Sequence, residues 1–191
     1  MIIDKEKKFV FVAIAKTACT SIHRRFGYVK DPVPELYHMH LKDILARHPE
    51  VKDYYKFAFV RNPYDRILSG YYNFRFSMEH RSWAYPIYEY DTFRDFIMNF
   101  ETSECRNFIH LQPQFNFLEV DGKVGLDFIG RYENLDADFQ LIESELGVSH
   151  IRLPITRTSK HPPYTVLYDS EMRKVVQRVF SADFKEFNYE K

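Results

Sequence analysis

Cysteine is scarce: Cys19 and Cys105 are the only two in 191 residues, so no disulfide framework is expected, and no Cys/His spacing resembles a zinc site. No apolar run reaches the 18 residues that a membrane helix needs, and the opening MIIDKEKKF lacks an apolar stretch of signal-peptide length. The chain therefore reads as soluble, without a membrane span. Charge of one sign is not in excess either. Lys plus Arg and Asp plus Glu both total 27, whereas nucleic-acid binders of this size usually carry a basic surplus, so no nucleic-acid partner is expected. Repeats, low-complexity tracts and long linkers are absent as well. With 45% apolar and 17% aromatic residues the composition excludes disorder, and the length suits a single domain, 1–191.

What is present is organised around Phe9 to Arg25, FVFVAIAKTACTSIHRR. Phe9 to Ala15 is unbroken apolar sequence, as expected of a strand buried on both faces. Lys16 and Thr17 follow, then the small residues Ala18 and Cys19 and the hydroxyl pair Thr20 and Ser21. Either hydroxyl suits a helix N-cap, with the helix running from Ser21 to Phe26. A strand that turns into a helix start through such residues builds an anion site, because backbone N–H groups, hydroxyls and an ammonium converge. Cys19 within it reads as a packing residue, the alternative being a thiol activated by the helix start. The turn is not a nucleotide-triphosphate P-loop. No glycine occurs between Met1 and Phe26, and the lysine leads the turn, four residues before Thr20, instead of directly preceding the Ser or Thr that starts the helix.

Further along, Leu41 to Arg47 is expected to be a short helix before Pro49, and Lys56 to Val60 a second buried strand. Arg61-Asn62 turns the chain, and Pro63 starts a helix that runs through Phe74. Arg75 to Tyr90 reads as irregular, Thr92 caps a helix to about Phe100, and Gln114 to Val120 and Leu126 to Gly130 flank an Asp121-Gly122 turn as candidate strands. A helix over Asp136 to Leu146 stops at Gly147, His150 to Leu153 is another candidate strand, and Ser170 to Phe180 is the last clear helix. Strands alternating with helices indicate α/β with a mainly parallel sheet, in which ligands gather at the carboxyl ends of strands. Two strand ends carry polar turns. Arg61 at the second, with Ser69 two turns into the next helix, would complement the Lys16 turn for a ligand with two separated acidic groups.

Both segments resemble the paired signatures of sulfotransferases that use 3′-phosphoadenosine 5′-phosphosulfate (PAPS). AKTACTSI is similar to the 5′-phosphosulfate loop and VRNPYDRILSGYY to the 3′-phosphate segment. DFIGRYENL and the ending FKEFNY resemble the carbohydrate-directed branch, which includes the chondroitin and uronyl 2-O-sulfotransferases. The resemblance implies a P-loop-like three-layer sandwich around a central, mainly parallel sheet, PAPS as donor, PAP as product, no metal, and a hydroxyl acceptor on a glycan. It implies that Lys16 meets the bridging oxygen and the sulfuryl group. Thr17, Ala18, Cys19, Thr20 and Ser21 would hold the 5′-phosphate, and Arg61 and Ser69 the 3′-phosphate.

A general base must still take the acceptor proton, and histidine titrates near neutrality. YHMHL resembles the His-x-His of the uronyl branch, which points to His40, with His38 as orienting partner or substitute. His110 and His150 read as structural. TRTSKHPP resembles a late basic loop, so Thr158 and Lys160 are candidates for the nucleotide or the acceptor, a solvated loop being the alternative. Arg75, Arg81 and Trp83 are candidates to line an acceptor cleft, or else cover core, and the Gln112-Pro113-Gln114 turn is a further candidate to face the acceptor. Other readings are a nucleotide kinase or hydrolase and a binding module without turnover. The family's animal members are Golgi enzymes behind a membrane anchor. A sequence that starts almost at its first strand is expected instead to be cytoplasmic, with the Golgi lumen only if it is a truncated piece.

Overall fold

Phe9 to Val12 and Tyr55 to Val60 carry mainly β-branched and aromatic side chains, which fit a pleated surface with apolar neighbours. In the computed structural model, which describes residues 1–28, 37–77, 82–154 and 161–191, the two segments pair in parallel. They are β2 (Phe9–Val12) and β3 (Tyr55–Val60), with Phe9 opposite Tyr55 and Val12 opposite Ala58. β6 (Phe128–Arg131) extends the sheet beyond β3, also parallel, and sets Val60 opposite Arg131. β1 (Ile2–Asp4) is an antiparallel edge beside β2, and the order is β1-β2-β3-β6. A separate ribbon of β4 (Glu119–Val120) and β5 (Lys123–Val124) closes around Asp121-Gly122. The architecture is α/β, with a mixed, mostly parallel sheet.

The described residues fall into two compact units. Met1–Arg61 with Gln114–Thr156 forms the first and holds the sheet. One face of that sheet, Phe9, Phe11, Phe57 and Phe59, packs on Cys19 and Ile22 of the helix Cys19–Arg25 and on Phe139 and Ile142 of the helix Leu135–Glu145. Gly130 is required by this packing: a Cβ there would lie 2.4 Å from the Phe59 ring. Asn62–Pro113 with Arg157–Lys191 forms the second unit, built from helices at Pro63–Ser77, Phe93–Met98, Ser170–Val179 and Ser181–Glu186. Its core is aromatic, with Tyr64, Phe74, Phe96, Phe100 and Phe180 buried.

Several expected elements take a different form. β2 ends at Val12, and Ala13 to Ala15 stay buried outside the ladder. The first helix starts at Cys19 behind Ala18, so neither Thr20 nor Ser21 is its N-cap. The helix from Pro63 continues to Ser77, and Ser82–Glu89, expected to be irregular, forms 3-10 turns. Gln114 to Val120 is not one strand: Phe115–Leu118 makes a helical turn before β4. His150 to Leu153 forms no strand because the Glu143 carboxylate takes both the His150 ring and the Ile151 N–H. β1 and the helix Ser181–Glu186 have no counterpart in the expectations.

Candidate functional site

The carboxyl ends of β2, β3 and β6 lie side by side, and the residues just past them are the Lys16 turn, Arg61 and Tyr132. The turn is strained. Lys16 has φ 72° and Ala18 φ 66°, left-handed values that cost a non-glycine residue roughly 1–2 kcal/mol. It is held from beneath by the Ile14 carbonyl, which accepts from the Thr17 hydroxyl at 2.8 Å and from the Cys19 thiol. Thr17, Cys19 and Ser21 are buried, while Lys16, Ala18 and Thr20 are half-exposed. Alternation thus sorts the loop into anchors and a presented edge. A backbone that switches into left-handed conformation at alternate residues turns its N–H groups toward one concavity, the nest that suits an anion.

The anchors have definite tasks. The Ser21 hydroxyl donates to the Pro154 carbonyl at 2.6 Å, so its single proton is directed into the fold. Cys19 is no activated thiol: burial pushes its pKa above the ordinary value, outweighing the hydrogen bond with Thr17. It packs. Both cysteines are free and buried.

Arg61 is 7% exposed and joins the two turns: its Nη1 donates to the Lys16 carbonyl at 3.2 Å. Its guanidinium lies over the Tyr132 ring, 4.1 Å from Cζ to the centroid. Its main chain is bracketed by the fully buried Gln114, whose Oε1 accepts from the Arg61 N–H at 2.9 Å and whose Nε2 donates to the Arg61 carbonyl at 2.8 Å. Gln114 thus faces inward, not toward an acceptor as the sequence reading allowed. Sequence reasoning missed both Gln114 and Tyr132 as neighbours of Arg61. GRYENL did contain a signal for Tyr132, since its Arg131 ends the strand beside β3.

His38 is buried and its Nδ1 bonds the Ala13 carbonyl at 2.7 Å, three residues ahead of Lys16. A carbonyl can only accept, so Nδ1 carries a proton, and in the neutral ring the lone pair falls on Nε2. His40 is half-exposed at the start of the helix Leu41–Arg47, its ring edge-on to Phe117 at 4.7 Å. His150 joins the buried Glu143, which also takes Arg25 Nε at 2.6 Å, a structural cluster.

Ser69 belongs to the second unit, buried on the helix Pro63–Ser77. In the same unit the Arg75 guanidinium lies 5.0 Å from the Tyr88 ring centroid, covering an aromatic. Arg81, Thr158, Lys160 and the side chain of Trp83 lie outside the described residues. Among the described residues no group of three or more His, Cys, Asp or Glu could hold a metal ion, and no helix is long and apolar enough to cross a membrane.

Comparison with known proteins bears on this arrangement. Residues 1–190 match a family model described as the Sulfotransferase family. Carbohydrate sulfotransferase 14 of Homo sapiens is 28% identical over 99% of this chain and 60% of its own length. Carbohydrate sulfotransferase 11 of Mus musculus is 21% identical over 99% of this chain and 66% of its own. The chain thus spans about 60% of the first of these relatives. No solved structure matches at a significant level. The cytoplasmic location expected from the sequence is corrected, because carbohydrate sulfotransferase relatives are Golgi-resident enzymes.

Proposed function

Because the chain belongs to the Sulfotransferase family over residues 1–190, we propose that it is a sulfotransferase that moves a sulfuryl group from PAPS to a hydroxyl on a carbohydrate. The observation that supports this reading best is the 3.2 Å bond from Arg61 Nη1 to the Lys16 carbonyl, which joins two anion-seeking turns at neighbouring strand ends. The residues fit the donor. A nest with Lys16 at its head suits the 5′-phosphosulfate, and a guanidinium beside it suits the 3′-phosphate. Ser69 enters on the VRNPYDRILSGYY motif alone. Residues 1–191 are read as one catalytic domain, and the parallel order β2-β3-β6 accords with a P-loop-like layering.

In the reaction the bond from sulfur to the bridging phosphate oxygen breaks, a bond from sulfur to the acceptor oxygen forms, and the hydroxyl proton leaves. Lys16 would counter the negative charge that grows on the bridging oxygen, and the backbone N–H groups of Thr17 to Ser21 would fix the phosphate. Arg61 would orient the nucleotide. His40 would take the hydroxyl proton, with His38 as orienting partner or substitute, its lone pair fixed on Nε2 by the Ala13 carbonyl. A panel of hydroxyl-bearing glycans incubated with the protein and sulfate-labelled PAPS tests the proposal. Label on at least one glycan is the expected result; PAP binding without any labelled product would instead make the chain a binding module.

A further inference from the structure

We propose that Gln114 is a positioning residue for nucleotide selectivity, acting through Arg61; the inference rests on the PAPS reading above. β3 ends at Val60, whose partner Arg131 is the last residue of β6, so Arg61 is the first residue past the paired ladder. A strand end has unpaired main-chain groups, and a buried unpaired group carries a penalty unless something replaces the missing neighbour. The Gln114 carboxamide, 53 residues away in sequence, is that replacement. It has the same donor and acceptor as a peptide unit and makes both bonds, at 2.9 and 2.8 Å, to the N–H and carbonyl of Arg61. The main chain at Arg61 is therefore fixed one residue beyond the sheet, and with it the direction in which its side chain leaves. The tip is held by the Lys16 carbonyl and the face by Tyr132, so a loosened base would misplace the guanidinium toward any phosphate it serves.

The experiment measures PAP and AMP affinities of the full chain by calorimetry, AMP being the ligand without the 3′-phosphate. Gln114→Leu should weaken PAP at least tenfold and AMP less than threefold. In an Arg61→Ala background the same change should alter PAP affinity less than twofold further, because one residue acts through the other. Equal losses for both ligands, or losses that multiply with Arg61→Ala, would reduce Gln114 to a merely structural role. Should Gln114→Leu not fold, Gln114→Glu carries the test. Its carboxylate can accept from the Arg61 N–H but not donate to the carbonyl, whereas its acid form does both. PAP affinity relative to the parent protein should then recover as pH falls from 8 to 5, and a flat ratio overturns the proposal. A parent protein that binds AMP as tightly as PAP would instead sink the donor reading, and this inference with it.

Discussion

At Phe93 a helix begins behind Thr92, whose hydroxyl accepts from the Asp95 N–H while the Asp95 carboxylate accepts from the Thr92 N–H. At Cys19 a helix begins behind Ala18, left-handed and without any side-chain cap. The first start closes on itself through residues four positions wide in the sequence, and that reciprocal capping box satisfies the Thr92 and Asp95 N–H groups without a ligand. The second start keeps an open cradle at an energetic cost, and the supports that hold it come from Ile14 below, Arg61 beside and Pro154 behind. Strain that the surroundings over-determine is the mark of a working site. Residue preference alone would have put glycine at Lys16 and Ala18.

The sharpest way to break the contrast is Lys16→Ala. If the uncapped start is where charge develops, sulfate transfer should fall by about 100- to 1,000-fold while PAP affinity changes far less. Equal losses of binding and turnover would make Lys16 a ligand only. Arg61→Ala should weaken PAP by about 2 kcal/mol or more, and unchanged affinity in calorimetry would remove it from the site. Thr92→Ala, at the closed start, should lower stability by about 1 kcal/mol without altering PAP binding. Ala18→Gly, at the open start, should go the other way and raise stability by about 0.5 kcal/mol, since glycine carries no left-handed penalty. Thermal melts of the two variants give the signs side by side, and a stabilised Thr92→Ala or a destabilised Ala18→Gly would undo the comparison.

The smallest effect concerns pH. Burial holds the Cys19 thiol above its ordinary 9.0, so the folded chain favours the protonated form. Its contribution is complete below pH 9 and fades as pH rises from there toward the raised value. At pH 7 the native protein should resist iodoacetamide at Cys19 and become reactive only when unfolded. Fast native alkylation would contradict the packing role assigned to this thiol.

The two starts also divide what could be read in advance. Thr92 and Gly147 behave as their neighbours foretell. Gly147, at φ 64°, ends its helix with Val148 N–H on the Glu143 carbonyl and Gly147 N–H on that of Ser144, all within six residues. Gln114 shows the opposite case. QFNFLEV alternates like a strand, yet Gln114 itself is helical at φ −67°, ψ −34°, and its carboxamide lies on Arg61. Nothing within a window around Gln114 contains Arg61, so period and propensity could not report the contact. His150 to Leu153 departs from its strand expectation for a nearer cause: the competing acceptor, Glu143, lies seven residues back on the preceding helix, and the chain must fold over before the two meet.

Sequence by itself determined the buried strands, the motif order with Lys16 ahead of Arg61, and the caps at Thr92 and Gly147, because each depends on residues within a turn or a strand of one another. Tertiary structure alone decided that Ala18 and not a hydroxyl begins the first helix, that Ser21 points its proton at Pro154, and that Arg61 is gripped by Gln114, Tyr132 and Lys16. The Ser21 and Arg61 contacts satisfy polar groups with partners dozens of residues away. Only a folded sheet brings such partners within hydrogen-bonding reach.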